Sequence, residues 1–408
     1  MKYIKKFKNH EEYENYIFSS DAALPNVSAC VNEDEVHYTK EPHNYRNDCL
    51  TLKVISGGTL TWKANDYSAK KTIQVHTGDE IGWIGLTSSV EGLEEEVKIN
   101  VSKGDTVKIR GNENTYSTDG FYSSFGGSAV FDVEGNIMSL LSTEDFEQMD
   151  TLTEPATFYR LFSECNVVNT ENLILPATTL AKSCYSAMFR DCISLTTAPQ
   201  LPATTLAQSC YSSMFGNCTS LTTAPELPAT TLSPSCYESM FVHCTSLTTA
   251  PKLPAAVLAT GCYSGMFDNC TDLITPPILS ARTLSESCYY HMFEGCTNLT
   301  RVPELPANAL ATACYSGMFI GCTNITESPF LEATTLVNGC YDSMFANCSN
   351  LSTVHCYATS ISARYATNNW LDGVKSSGVF EKDPSITWPS GPSGVPQGWY
   401  VIDHDSPL

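Results

Sequence analysis

At 408 residues the chain exceeds one ordinary core, and two or three domains are expected. A hydrophobic content of 42% fits a folded protein, while a formal net charge of -21 argues against nucleic acid and anionic membrane surfaces as partners. No apolar run reaches the ~20 residues that a membrane-spanning helix needs.

Residues 1–45 read as a small anchor or adaptor segment. Tyr3-Ile4-Lys5-Lys6-Phe7 has strand character. Asn9 is placed to cap a helix with Glu11, Glu12 and Glu14 near its start and an apolar edge of Tyr13, Tyr16 and Ile17. Residues 24–30 and 35–38 read as extended. The apolar mass is too small for an independent core, so the segment packs on its neighbour or docks on another protein. Residues 1–10 lack the apolar centre of a secretory signal, which predicts synthesis in a cytoplasm without general export.

From 46 to 142 the hydrophobic period is two. Leu50-Thr51-Leu52-Lys53-Val54-Ile55 leads through Gly57-Gly58 to Thr59-Leu60-Thr61-Trp62-Lys63, and further strands are expected at 72–75, 96–101, 106–109, 129–133 and 137–141. Short strands at this spacing predict an antiparallel β-sandwich. Residues 143–157 read as a junction, with Glu144, Asp145, Glu147 and Asp150 on one short helical stretch.

Residues 158–357 repeat one sentence every 26 residues: Cys184-Tyr185-x-x-Met188-Phe189-x-x-Cys192-x-x-Leu195-x-x-Ala198-Pro199-x-Leu201-Pro202. It restarts at Cys210, Cys236, Cys262, Cys288, Cys314 and Cys340. A fixed period of this size predicts a solenoid, each unit burying its apolar face on its neighbours. Cys184, Met188 and Cys192 fall on one side of a short helix; Leu195 to Leu201 is the extended part. The expected fold is therefore multidomain, a β-sandwich followed by an α/β leucine-rich-repeat solenoid. Residues 358–408 form its C-terminal cap and tail, with Trp370 and Trp399 covering the last open unit.

Fourteen of the eighteen cysteines are repeat positions. Eight residues of helix span ~12 Å, too far for a disulfide within a unit, so the thiols are expected to be reduced, buried hydrophobes. Cys-x7-Cys without regular histidine is not zinc-ligand spacing, and no metal or other cofactor is expected. Catalytic residues are not expected either. The chain has no phosphate loop, nucleophile elbow or His-Glu-x-x-His. His243, His291 and His355 occupy unrelated repeat positions, and Asp268 and Asp272 read as solvated charge. The sequons at Asn217 and Asn269 read as chance.

The repeat motif resembles that of BspA-like (Treponema-type) leucine-rich-repeat proteins, common on the surface of gut bacteria. Tyr185, Met188 and Ala198 depart from the family's usual residues, and each unit is a few residues longer. The resemblance implies a curved solenoid used for adhesion without catalysis. Leu24-Pro25-Asn26-Val27-Ser28-x-Cys30 followed by Glu35-Val36-His37-Tyr38 resembles the leader of virion proteins in crAss-like and other Bacteroidales phages. It implies attachment of residues 1–45 to other virion proteins.

The functional expectation is a phage virion protein of head- or tail-fibre type, made in the host cytoplasm. It would present its repeats to a host surface glycan or protein. The alternatives are a bacterial cell-surface or secreted adhesin and, more weakly, an intracellular scaffold; a homo-oligomer stays open. With Leu201 in the core, the residue before it points outward. That column reads Gln200, Glu226, Lys252, Ile278, Glu304, Phe330 and Cys356, with Thr275, Arg301 and Glu327 three residues earlier in their units. These variable positions are the candidate ligand ladder, centred on Arg301, Glu304, Glu327 and Phe330. Surface drift on a fixed core would vary the same positions.

Overall fold

Among the described residues strands are the main regular element, and helix is almost absent. A computed structural model describes residues 44–404 except 79–81, 91 and 119, together with the backbone of strands at 4–7, 27–32 and 35–40. The helix expected from Asn9 lies outside the described residues. Strands β1 (Ile4–Phe7), β2 (Val27–Asn32) and β3 (Glu35–Lys40) form an antiparallel sheet in the order β1-β3-β2.

Two further sheets face each other over Leu52, Leu60, Trp62, Ile73, Val107 and Phe125. Their strands in chain order are β4 (Leu50–Ser56), β5 (Gly58–Ala64), β6 (Thr72–His76), β7 (Ile84–Thr87), β8 (Ser89–Val90), β9 (Val97–Val101), β10 (Thr106–Arg110), β11 (Ser117–Thr118), β12 (Phe121–Gly127), β13 (Val130–Asn136) and β14 (Leu173–Ile174). One sheet has the order β14-β13-β4-β10-β6-β7; the other has β11-β12-β5-β8, with β9 on β5. Gly57 does not turn a hairpin, because β4 and β5 belong to different sheets. A Cβ on Gly57 would stand 2.9 Å from the Val101 carbonyl oxygen, so the crossing passes too close to β9 for a side chain. The strand expected at 137–141 is instead a 3-10 helix, Ile137–Leu140, whose first turn the Asn136 side chain caps through the Met138 N–H. Two strand pairs, β5–β8 and β13–β14, are parallel rather than antiparallel.

The repeats are not helical where the sequence predicts a helix. Residues 181–192 form consecutive tight turns, and their backbone bonds divide by parity. The N–H groups of Cys184, Ser186, Met188, Arg190 and Cys192 bond three residues back. Those of Ser183, Tyr185, Ala187, Phe189 and Asp191 donate to carbonyls of the next unit, at Gln208, Cys210, Ser212, Met214 and Gly216. Every donor from Ser183 to Cys192 is thus satisfied without a helix. The device that breaks the helix is a residue of positive φ every fourth position, as at Ser183 (55°), Ala187 (52°) and Asp191 (63°). Nine such triplets run from Ala156, Arg160 and Glu164 to Tyr365, Asn369 and Gly373, so this backbone geometry begins before 158 and continues beyond 357.

With each turn reset in this way, the pairs Cys184-Tyr185 and Met188-Phe189 and the single Cys192 all point inward and are fully buried. Equivalent rings stack from unit to unit. Tyr211 lies 5.8 Å from Tyr185 and 5.8 Å from Tyr237, and Phe215 lies 5.9 Å from Phe189 and 5.7 Å from Phe241, all within 10° of parallel. Each stacked pair adds roughly 0.5–1.5 kcal/mol beyond its buried area. Both ring columns reach into the sandwich, through Phe158 and Tyr116 in one case and Phe162 and Phe125 in the other, and both end on Trp62. The first unit also bonds directly to the sandwich backbone: Phe125, Phe131, Val133 and Gly135 donate to Leu161, Asn166, Asn169 and Asn172. Residues 143–157 therefore do not separate two independent cores. At the far end Trp370 stacks on Tyr341, and Trp388 stacks on Trp370 at 5.4 Å.

Each of the seventeen described cysteines is a free thiol, sixteen of them buried. The second cysteine of a unit has a specific partner. The Cys192 Sγ–H donates to the Phe162 carbonyl at 3.0 Å, and Cys218, Cys244, Cys270, Cys296, Cys322 and Cys348 repeat the bond one unit on at 3.0–3.1 Å. Burial pushes Cys184 and Cys244 up to about 12, so both stay protonated at neutral pH.

Candidate functional site

The outward face of the repeats changes character along its length. In the earlier units Ala198-Pro199-x-Leu201-Pro202 and its copies make only isolated bridges, such as Thr197 with Thr223 and Thr249 with Thr275. From residue 327 onward a parallel sheet forms in the order β15 (Glu327–Leu331), β16 (Thr353–Cys356), β17 (Val379–Lys382), β18 (Tyr400–Asp403). The physical difference is proline, which has no N–H to give to a ladder. Pro303 and Pro306 interrupt the unit before β15, Glu332 stands where the second proline would be, and residues 353–358 contain none.

Where the two kinds of backbone meet, a groove opens with about 1310 Å³ of empty space, open to solvent. Its walls are residues 300–306 on one side and 326–330 on the other, and Arg282 and Glu332 also line it. Four candidates come together here: Arg301, Glu304, Glu327 and Phe330. Gln200, Glu226, Lys252, Thr275 and Ile278 are also exposed, as expected, but lie along the same face outside the groove. Ile278 is 85% exposed and Phe330 55%.

Cys356 is not part of the outward column. It is fully buried, opposite Leu331, because the β15–β16 register slips by one residue between Glu327 and Phe330. A one-residue slip exchanges the two faces of a strand. His355 therefore takes the outward place beside Phe330, with ring centroids 4.6 Å apart.

That exchange builds a cluster absent from the sequence reading. His355 Nδ1 lies 2.5 Å from Glu381 Oε2, and its Nε2 lies 2.8 Å from Glu327 Oε1. One ring nitrogen of His355 thus faces each carboxyl group. Glu381 also accepts from His404 Nδ1 at 2.9 Å and from the Tyr357 hydroxyl at 3.1 Å. Burial alone would raise the Glu381 carboxyl, but the bonds from His404, His355 and Tyr357 outweigh it and hold the group below its ordinary value. The only sequence signal for this cluster was the loss of proline after residue 329, which marks where a sheet can align side chains on adjacent strands.

A second groove lies over the outer face of the six-stranded sheet, lined by Asp48, Thr51, Trp83, Lys108, Arg110 and Glu134 among others. There the Arg110 guanidinium sits 4.0 Å from the Trp83 ring centroid and is thereby already engaged. Among the described residues no three His, Cys, Asp or Glu side chains converge as metal ligands, and no helix is long and apolar enough to cross a membrane. Compared with family models, curated proteins and solved structures, the chain matches none.

Proposed function

We propose that the chain is a non-catalytic binding protein, an adhesion subunit of a phage virion of head- or tail-fibre type. In this reading its repeats form a leucine-rich-repeat solenoid that presents the outward face to a glycan or protein on the host surface. Residues 1–45 join it to other virion proteins. The observation that carries the binding role is the groove at 300–332. There the variable outward residues Arg301, Glu304, Glu327 and Phe330 gather on a core whose inward residues scarcely change from unit to unit. Ring stacking and inter-unit backbone bonds support the solenoid; the parallel ladder of β15–β18 supports an extended segment in each unit. The virion assignment rests on the leader-like motif at 24–38. The repeat resemblance supports a bacterial surface adhesin as the second reading.

The test has two parts. The purified chain should bind host cells. A chain starting at Arg46 should fold and bind equally well, yet fail to enter particles. Normal incorporation of the shortened chain would remove the virion-anchor role, and absence of cell binding by the full chain would remove the adhesion role.

A further inference from the structure

The groove's chemistry narrows its ligand. The following rests on the binding role proposed above and names the class of molecule bound. Arg301 and Glu304 line the groove without an ion-pair partner among the described residues, in a chain whose acids outnumber its bases nearly two to one. Arg282 has only a long bond, 3.5 Å, to the Pro306 carbonyl. The Phe330 ring is held from the sheet side by His355 at 4.6 Å and Tyr357 at 6.4 Å, and it lines the groove while more than half exposed. Glu327 is fixed in place by His355. The groove thus offers a supported aromatic platform ringed by uncommitted, planar polar groups that donate and accept in pairs.

Two ligand classes fit poorly. Arg282 and Arg301 share the lining with Glu304, Glu327 and Glu332, one negative charge in excess, within a chain of net charge -21. That field disfavours a polyanion. An extended peptide added as a strand needs a run of free donors and acceptors along an edge. Here Pro329 sits within β15, and Pro303 and Pro306 sit on the facing wall. We propose that the groove binds a neutral saccharide. One sugar ring lies its C–H face on Phe330, while Arg301, Glu304 and Glu327 bond its hydroxyls.

The test uses the full chain on a panel of neutral, sialylated and sulfated oligosaccharides and on a lysine-rich peptide. Calorimetry then follows on the best neutral binder. Phe330→Ala should weaken binding at least tenfold, Phe330→Trp should restore it, and Arg301→Ala and Glu304→Gln should each weaken it about three- to tenfold. Glu144→Gln, exposed in the stretch before the repeats and away from the groove, should leave it unchanged, and thermal midpoints should confirm that every variant is folded. The inference is overturned by unchanged binding in Phe330→Ala, by preference for sulfated or sialylated members, by peptide in place of sugar, or by no saccharide binding at all. Cell binding that survives every groove substitution would overturn the groove while leaving the adhesion role intact. Loss of all cell binding in the unaltered chain would remove both.

Discussion

The outward face before residue 326 and the outward face at β15 and β16 rest on the same inward columns of tyrosine, phenylalanine and leucine, yet only the second joins a continuous sheet. The difference lies in the backbone donor count. Pro199 and Pro202, with their counterparts in the following units, remove the N–H groups a ladder needs; β16 keeps all of its own. The core sets the stacking of units, and proline decides whether neighbouring units also join along this face. The groove marks the boundary between the two regimes.

The largest expected effect sets the cysteine-bearing units, which lie on both sides of that boundary, apart from the strands after residue 356. Buried thiols have folded pKa values raised far above the unfolded value, to about 12 at Cys184 and Cys244. Their stabilisation is complete below the unfolded pKa of ~8.5 and is lost as pH rises toward the folded value. Each loses ~1.4 kcal/mol per pH unit in that window, and sixteen such groups together exceed the stability of any ordinary domain. Unfolding monitored by circular dichroism should therefore set in steeply between about pH 9 and 10. Hydrogen exchange should find the units at 184–348 opening first, since residues 357–404 contain no cysteine. A flat stability up to pH 11 would contradict the buried-thiol account.

Proline itself provides the next test. His355→Pro removes a donor bonded to Ser328 Oγ at 3.0 Å inside the sheet and should cost ~3 kcal/mol or more by chemical denaturation. Glu304→Pro, which follows Pro303 on the proline-rich wall, should cost less than ~1 kcal/mol. Equal costs would erase the distinction between the two stretches.

A smaller change is expected within the shared core. Cys244→Ala deletes the S–H bond to the Phe215 carbonyl and leaves a small void, at ~1–2 kcal/mol. The smallest effect belongs to the sheet alone. The depressed Glu381 carboxyl contributes stability that is present above its unfolded value of ~4.3 and is lost as pH falls through the folded value. Glu381→Gln should therefore flatten the acid limb of a thermal-midpoint profile below about pH 4.5, with a shift worth under ~1 kcal/mol at neutral pH.

Much of the core was legible in the sequence, because identical apolar residues every 26 positions must meet their copies. The local backbone was misread for an identifiable reason. Cys-Tyr-x-x-Met-Phe-x-x-Cys places apolar residues four apart, which a helix also does. The discriminating signal lay in the x positions. The column Asp191, Asn217, His243, Asn269, Gly295, Gly321 and Asn347 consists of residues that tolerate or prefer positive φ and that serve poorly inside a helix. On the outward face Arg301, Glu304, Glu327 and Phe330 followed from simple alternation. His355 and Cys356 did not, because the local register slip shows only when the strands are paired.

The parity of the turn stretch has a mechanical consequence. Its inter-unit bonds point along the stacking direction, and the covalent chain crosses from one unit to the next only once per 26 residues. A pull between the two ends therefore strips units singly, each from an exposed end face, instead of shearing many bonds at once. Each unit released pays out up to about 90 Å of extended chain. Tension between the two ends would then be relieved in steps of that length while the units not yet reached stay closed.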